Sequence, residues 1–352
     1  MEQDCCRACH PPTLLMVGAL ALVAVSGSAA AAGEITSHLG NTGPRFEAGM
    51  TPSKLGWGPD DQAYPDEFVV NAVDGAEVVW APSGVFRMGS TPEETDELWR
   101  ENGWDEAWKD AAASERPAHE VTITRGFWLY RHEVTNAQYA RFMAATGHPP
   151  HGSWNDYKSH GSMPVNNVNW HDSVAYARWA GGSLPTEAQW EYAARGPDSR
   201  TFPWGDAWDR TKCNNAEYWA KRPLADQDAW AAWLNSIGGD GSKPSWMIPA
   251  SVTVRHLGEV GHFPEGRSWC GALDLAGGVW EWCLDWYSET YYAESPGRDP
   301  TGPERGARRV RRGGSWSSFA YYCRSADRTN AAPELGDDDD GFRVVMHVQP
   351  PA

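Results

Sequence analysis

The sequence predicts a single α+β domain with little regular secondary structure. Three observations point that way. The 352 residues include 21 Trp, 36 Gly and 25 Pro, a combination that suits loops pinned by large aromatic anchors rather than a helix bundle. Short β-type runs in the first third give way to three short, well-capped helical runs. Beyond them the chain is rich in Gly, Trp and Asn, with brief strands and no periodic helix of any length. Hydrophobic residues are 41% and charged residues 22%, near globular averages, which excludes a fibre or a disordered tail. The net charge of −17 excludes phosphate-driven binding to nucleic acid and docking on anionic lipid, both of which need clustered Lys and Arg.

The elements follow in order. Leu14 to Val25 is an apolar run of signal-peptide length, too short to span a membrane well, and Ser26 to Ala32 supplies small residues for cleavage. Residues 1–32 therefore read as a signal peptide, although Glu2 and Asp4 stand where positive charge is usual. The expected product is periplasmic or secreted, with no stable membrane insertion after cleavage. Four cysteines then remain: Cys213, Cys270, Cys283 and Cys323. An even number in an exported chain fits two disulfides in any of three connectivities. The alternative, a thiolate metal site, lacks a C-x-x-C arrangement.

Residues 33–76 read as a leader or linker, and residues 77–348 as the domain. Val78-Val79-Trp80 and Val85-Phe86-Arg87-Met88 flank Pro82-Ser83-Gly84, a hairpin signal. Residues 91–117 read as a loop or short helix, and Val121 to Thr124 and Phe127 to Tyr130 as strands. Thr135 caps a helix over Asn136 to Ala145, with Gln138 completing a capping box. Asp172 is the expected cap of a helix over Ser173 to Ala180, stopped by Gly181-Gly182. Thr186 caps Glu187 to Arg195, and Gly196 ends it.

Several stretches resemble the formylglycine-generating-enzyme, or sulfatase-modifying-factor, family. They are FRMGS (86–90), HEVTNAQYARFM (132–143), MPVNNVNWHDSVAYARWAGGSLPTEAQWEYAARG (163–196), FPWGD (202–206), LDLAGGVWEWCLDWY (273–287), RRGGSW (311–316) and GFRVV (341–345). The resemblance implies a C-type-lectin-like fold, compact and poor in regular structure. The family's oxidases hold copper on two close cysteines after the Gly-Gly-Ser turn, and soft thiolates suit copper(I). Here Gly313-Gly314-Ser315 is followed by Trp316 to Tyr322. The resemblance puts the first copper cysteine near Ser318 and the second in a stretch that is shortened here, and matches Cys323 to a third family cysteine that is structural. The expectation is a divergent member without the copper pair, its catalytic metal unknown. An iron-dependent branch uses a three-His site supplied in part by an N-terminal helical domain. The scattered histidines here, with His148 and His151 flanking Pro149-Pro150, do not match it.

The resemblance also implies a calcium held by Asp274, Gly277, Val279 and Glu281, from carboxylates and backbone carbonyls. A second family calcium site is degraded at Gly261, and the Asp337 to Asp340 run reads as a solvated loop. Trp280 and Ser315 match positions beside the family's reaction centre. The candidate catalytic residues are Ser315, Trp280 and Ser318. The candidate substrate-binding residues are Trp316, Tyr321, Tyr322 and Arg324, with Trp282 as a further wall of the same cleft. Such a cleft suits a flat or peptidic ligand, either a peptide or a small molecule. Three functions stay open: an oxidoreductase or maturation factor of the periplasm, a non-catalytic binding module of the retroelement-diversified kind, and a sulfatase-activating oxidase.

Overall fold

The computed structural model describes residues 35–37, 45–46, 63, 65–66, 68–243 and 247–347. The expected signal peptide and much of the expected leader lie outside the described residues. Among the described residues there are twelve strands and eight α-helices. Strands β1 (Ile35–Ser37), β2 (Arg45–Phe46), β3 (Val69–Asn71), β4 (Glu77–Ala81), β7 (Phe127–Tyr130) and β12 (Val345–Met346) form one sheet, in the order β12-β7-β4-β3-β1-β2. β3 pairs antiparallel with β4, so residues ahead of 77 join the domain's sheet.

The central strands are buried on both faces, which is why they read as unbroken apolar runs. Val78, Trp80, Trp128 and Tyr130 enter one core with helices α2 (Asn136–Thr146) and α4 (Trp170–Trp179). Val79, Ala81, Phe127 and Leu129 alternate into a second core with α5 (Glu187–Arg195). The hairpin expected around Pro82-Ser83-Gly84 does not form. β5 (Gly84–Met88) pairs with β6 (His119–Ile123) in a separate two-stranded sheet, because both edges of β4 are taken by β3 and β7.

Residues 91–117 hold α1 (Pro92–Asn102), capped by Thr91 and Glu94, and a 3-10 segment over Glu106–Glu115. Capping boxes start α2 at Thr135 and α5 at Thr186, as the sequence predicts. α4 starts earlier than expected: Asn169 is the cap, and Asp172 reaches back to its N–H as the third helical residue. After the four-residue α3 (Trp154–Tyr157) among these, the later chain also holds α6 (Ala216–Ala220), α7 (Gln227–Ser236) and α8 (Ala250–His256). The expectation of no further helix is therefore corrected. Trp230, Trp233 and Leu234 stand at i, i+3, i+4 and bury one face of α7.

The last sheet has the order β10-β9-β8-β11, built from β8 (Trp280–Trp286), β9 (Arg309–Arg312), β10 (Thr329–Ala331) and β11 (Asp340–Gly341). Buried arginine–glutamate pairs brace the loops around it: Arg312 with Glu191, Arg324 with Glu115, Arg328 with Glu187 and Arg343 with Glu281. Each pair leaves few lone charges in the interior, which an irregular backbone needs when it has few ladders to spend its polar groups on. The four cysteines are all buried and stand as free thiols in this structure. Among the described residues no helix is long and apolar enough to cross a membrane.

Candidate functional site

Two glycine pairs build the site. Gly277 and Gly278 lie at φ 76° and 73°, just before β8, and Gly313 and Gly314 at 97° and 78°, just after β9. A side chain on Gly277 would begin 2.0 Å from the Asn214 carbonyl oxygen, and one on Gly278 2.4 Å from Glu133 Oε1. Only glycine suits that conformation and that approach. The Gly277 N–H donates to the Gly313 carbonyl, and the Trp316 N–H to that of Gly278, both at 2.8 Å. The turns are thus laced together, and Ser315 to Cys323 leave them in a fixed direction.

Beside this lacing lies a cavity of about 280 Å³. Its aromatic walls are Trp108, Trp230, Trp280, Phe319 and Tyr322. Its polar lining includes Ser317, Ser318, Arg311, Asp337 and Asp339. Ser315 sits beneath it, fully buried, donating from Oγ to Asp339 Oδ2 at 2.9 Å. The Ser315 and Ser318 hydroxyl oxygens are 3.0 Å apart, and the Ser315 N–H donates to Ser318 Oγ at 2.9 Å. Asp339, Ser315 and Ser318 therefore form one hydrogen-bonded chain with both ends at the cavity. Burial pushes the Asp339 carboxyl above its usual range, opposed by Arg311 and the Ser315 bond. This chain can hold a proton and orient a hydroxyl, but among the described residues no histidine joins it to make a Ser-His-Asp relay.

The structure brings Trp280, Ser318 and Tyr322 to the cavity, with Ser315 one bond behind. The other candidates go elsewhere. Trp316 is fully buried, stacked on His256 at 5.6 Å and set against Trp233. Tyr321 packs among Trp99, Trp104 and Trp108. Arg324 is committed to Glu115 through two bonds of 2.9 and 2.7 Å, and faces a different pocket beside Glu94 and Arg195. Trp282 belongs to the first core and donates to the Val168 carbonyl. Successive side chains turn about the axis of the 3-10 segment, so neighbours there cannot all face one cleft, while Trp282 shares the Arg311 side of β8 with Trp280 but stands two residues further along the strand, in the core.

The Asp337 to Asp340 run is not a solvated loop. Asp338, Asp339 and Asp340 are buried, Asp340 fully so. Asp340 is salt-bridged to Arg311, and Asp338 accepts from Thr253 Oγ1 at 2.8 Å. Burial pushes Asp340 up to about 7 and Asp338 to about 8. Asp339 and Arg311 are site residues that the sequence reading missed. The signal for them was Arg311, two residues ahead of the Gly-Gly-Ser turn in an otherwise quoted motif.

The positions expected to hold calcium are only partly arranged for it. Glu281 accepts two bonds from Arg343 and one from Trp190. Among the described residues no group of three or more His, Cys, Asp or Glu is arranged to hold a metal. Yet both carboxylate oxygens of Glu133 are buried with no hydrogen-bond partner, beside the Gly278 turn and within electrostatic reach of Asp274 and Glu281. Burial first, then those two acids, hold the Glu133 carboxyl well above its usual range. Orphaned carboxylate oxygens at that depth fit a hard cation, and Glu133 is a third residue that the sequence reading did not single out.

Comparison with known proteins agrees with this architecture. Residues 65–348 match the sulfatase-modifying factor enzyme 1-like domain. The formylglycine-generating enzyme of Streptomyces coelicolor is 34% identical over 284 residues, covering 66% of this chain and 82% of that protein. The enzyme of the same name from Thermomonospora curvata is 31% identical, covering 76% of this chain and 92% of that protein. Among solved structures, PvdO from Pseudomonas aeruginosa aligns with a TM-score of 0.57 at 23% identity, over 81% of this chain and all of its own. Treponema denticola variable protein 1 aligns at 0.52 and 20% identity, over 82% and 99%. These two show the shared fold, and the domain match with the bacterial relatives shows that this chain belongs to the sulfatase-modifying factor, or formylglycine-generating-enzyme, family.

Proposed function

We propose that this chain is a divergent maturation factor or oxidoreductase that acts on a peptide or small molecule in the aromatic cleft without paired copper thiolates. Ser318 carries this reading. It lines the cleft, bonds to Ser315, and stands where the resemblance calls for the first copper cysteine. A hydroxyl does not replace a copper(I) thiolate. The aromatic wall suits a ring, while Asp339, Asp337 and Arg311 suit the amino and carboxyl groups of an amino-acid-like ligand. The apolar run Leu14 to Val25 supports action outside the cytoplasm. The same reading includes one structural calcium at Glu133, Asp274 and Glu281 with the carbonyls of Gly277 and Val279, supported by the orphaned Glu133 oxygens.

Purified protein given copper(I), oxygen and a Cys-x-Pro-x-Arg peptide is expected to yield no aldehyde by mass spectrometry. Turnover above a metal-free blank would overturn the reading in favour of a sulfatase-activating oxidase. A gene knockout compared by metabolite and envelope-proteome profiling is expected to lose a product, and Tyr322→Ala, folded, to leave that loss unrescued. A knockout that changes no metabolite and only removes a bound partner would instead mark a non-catalytic binding module.

A further inference from the structure

The thiols of Cys213 and Cys323 meet beneath the site. Cys213 follows the 3-10 turn Arg210–Lys212, and Cys323 ends the 3-10 turn Ala320–Cys323. The two form a small cluster of their own with Ala276, apart from the main cores. Cys323 is fully buried and Cys213 is 2% exposed. A side chain on Gly314 would begin 3.2 Å from Cys323 Sγ, so the pair lies directly under the Gly313-Gly314 turn. Burial, then the adjoining Cys323 thiol, pushes the Cys213 thiol up. Cys270 and Cys283 lie in the second core instead, their sulfurs set against the Ala193 and Glu281 carbonyls.

The segments on either side give this contact a role. The Asn214 carbonyl accepts the Gly278 N–H at 2.8 Å, and the Ala216 N–H donates to the Ser318 carbonyl at 3.2 Å. Residues 213–216 thus hold the Gly277-Gly278 turn and the serine segment of the cleft. We propose that Cys213 and Cys323 form a disulfide that clamps this cleft loop to residues 213–216, while Cys270 and Cys283 remain thiols. The inference rests on packing, not on what the cleft binds.

The bond forms by exchange with an external disulfide, either glutathione disulfide or the oxidised cysteine pair of a disulfide-exchange protein. One protein thiolate attacks a sulfur of that disulfide and expels a thiolate. The second protein thiolate then displaces the other sulfur. Two electrons pass to the external disulfide, and the two protons from Cys213 and Cys323 end on its released thiols. Buried thiols react slowly in a folded protein, so the bond is made while the chain folds.

The test is to refold the full chain with glutathione disulfide, or with reductant, and then to denature, alkylate and map the peptides. After oxidative refolding, Cys213 and Cys323 are expected to resist alkylation and to appear in one cross-linked peptide, with Cys270 and Cys283 alkylated. Amide exchange over residues 313–323 is expected to be roughly tenfold or more faster in the reduced, folded protein, as for a locally released segment. Cys323→Ser, and separately Cys213→Ala, are each expected to leave the remaining partner fully alkylated. Equal alkylation of Cys213 and Cys323 after both refolding conditions would overturn the cross-link, as would a bond between other cysteines. Equal exchange in cross-linked and reduced protein would overturn the clamp.

Discussion

Arg324 illustrates how a residue beside a cleft serves the fold instead of the ligand. It is 2% exposed, paired with fully buried Glu115 and set over the Trp99 ring. Removing one partner of such a pair strands the other charge in the interior. Arg324→Ala is expected to cost about 3–5 kcal/mol in urea denaturation, and a loss below 1 kcal/mol would contradict the pairing. The aspartate run makes a pH prediction. Burial, then Asp339, Asp337 and Asp340, hold Asp338 at about 8, while Thr253 opposes them. An unfolded aspartate titrates near ~4. A raised acid contributes stability that is complete below that value and is lost as pH rises through about 8. Melting temperature should therefore fall between pH 5 and 8.5, and Asp338→Asn should lose less over that window. Parallel curves for the two proteins would refute the assignment. Ser315, Ser318 and Trp280 were legible because the Gly-Gly-Ser and Trp-Glu-Trp motifs fix their backbone. Asp339 was not, because four consecutive acids look solvated until Arg311, Ser315 and Thr253 meet them in three dimensions.

At the scale of elements, capping chemistry was the most readable feature. Thr135 and Thr186 close their boxes with Gln138 and Gln189 as expected, because those bonds are local. The start of α4 was misplaced because both ends of its box carry capping-type side chains, and only the backbone shows that Asn169 is the extended residue. Asn169→Ala should cost about 1 kcal/mol, the usual loss for a removed cap, and calorimetry that finds no change would reject that placement. Strand existence was legible and strand partnership was not. An apolar run announces burial, but the choice between a hairpin and two sheets depends on the strands that flank β4: β3 just ahead of it and β7 far along the chain. α7 escaped notice because its Trp residues read as loop anchors, although their spacing is helical.

The whole molecule turns on the place where its two larger sheets approach the glycine turns. Glu133 precedes α2 at the end of the segment leaving β7, Asp274 and Gly277 to Val279 lead into β8, and Arg343 bonds the Tyr130 and Leu273 carbonyls as well as Glu281. Arg343 offsets one of the three acids there, and the orphaned oxygens of Glu133 leave room for one more positive partner. If calcium is that partner, it joins the sheet of β7 to the sheet of β8 and holds the floor beneath Trp280. A ligand that binds only the folded state stabilises it by RT ln(1 + [L]/Kd), about 3 kcal/mol at a hundredfold excess over Kd. Calcium should therefore raise the melting temperature of protein first stripped with a chelator, and magnesium should do so far less, since it needs a tighter octahedral shell. Glu133→Gln should abolish most of the calcium-induced rise while leaving the calcium-free melting temperature equal or higher, because the variant no longer buries an unpaired carboxylate. A full calcium response in Glu133→Gln, or none in the parent chain, would remove the ion and leave this junction to Arg343 and to backbone bonds such as that from the Leu273 N–H to the Arg131 carbonyl.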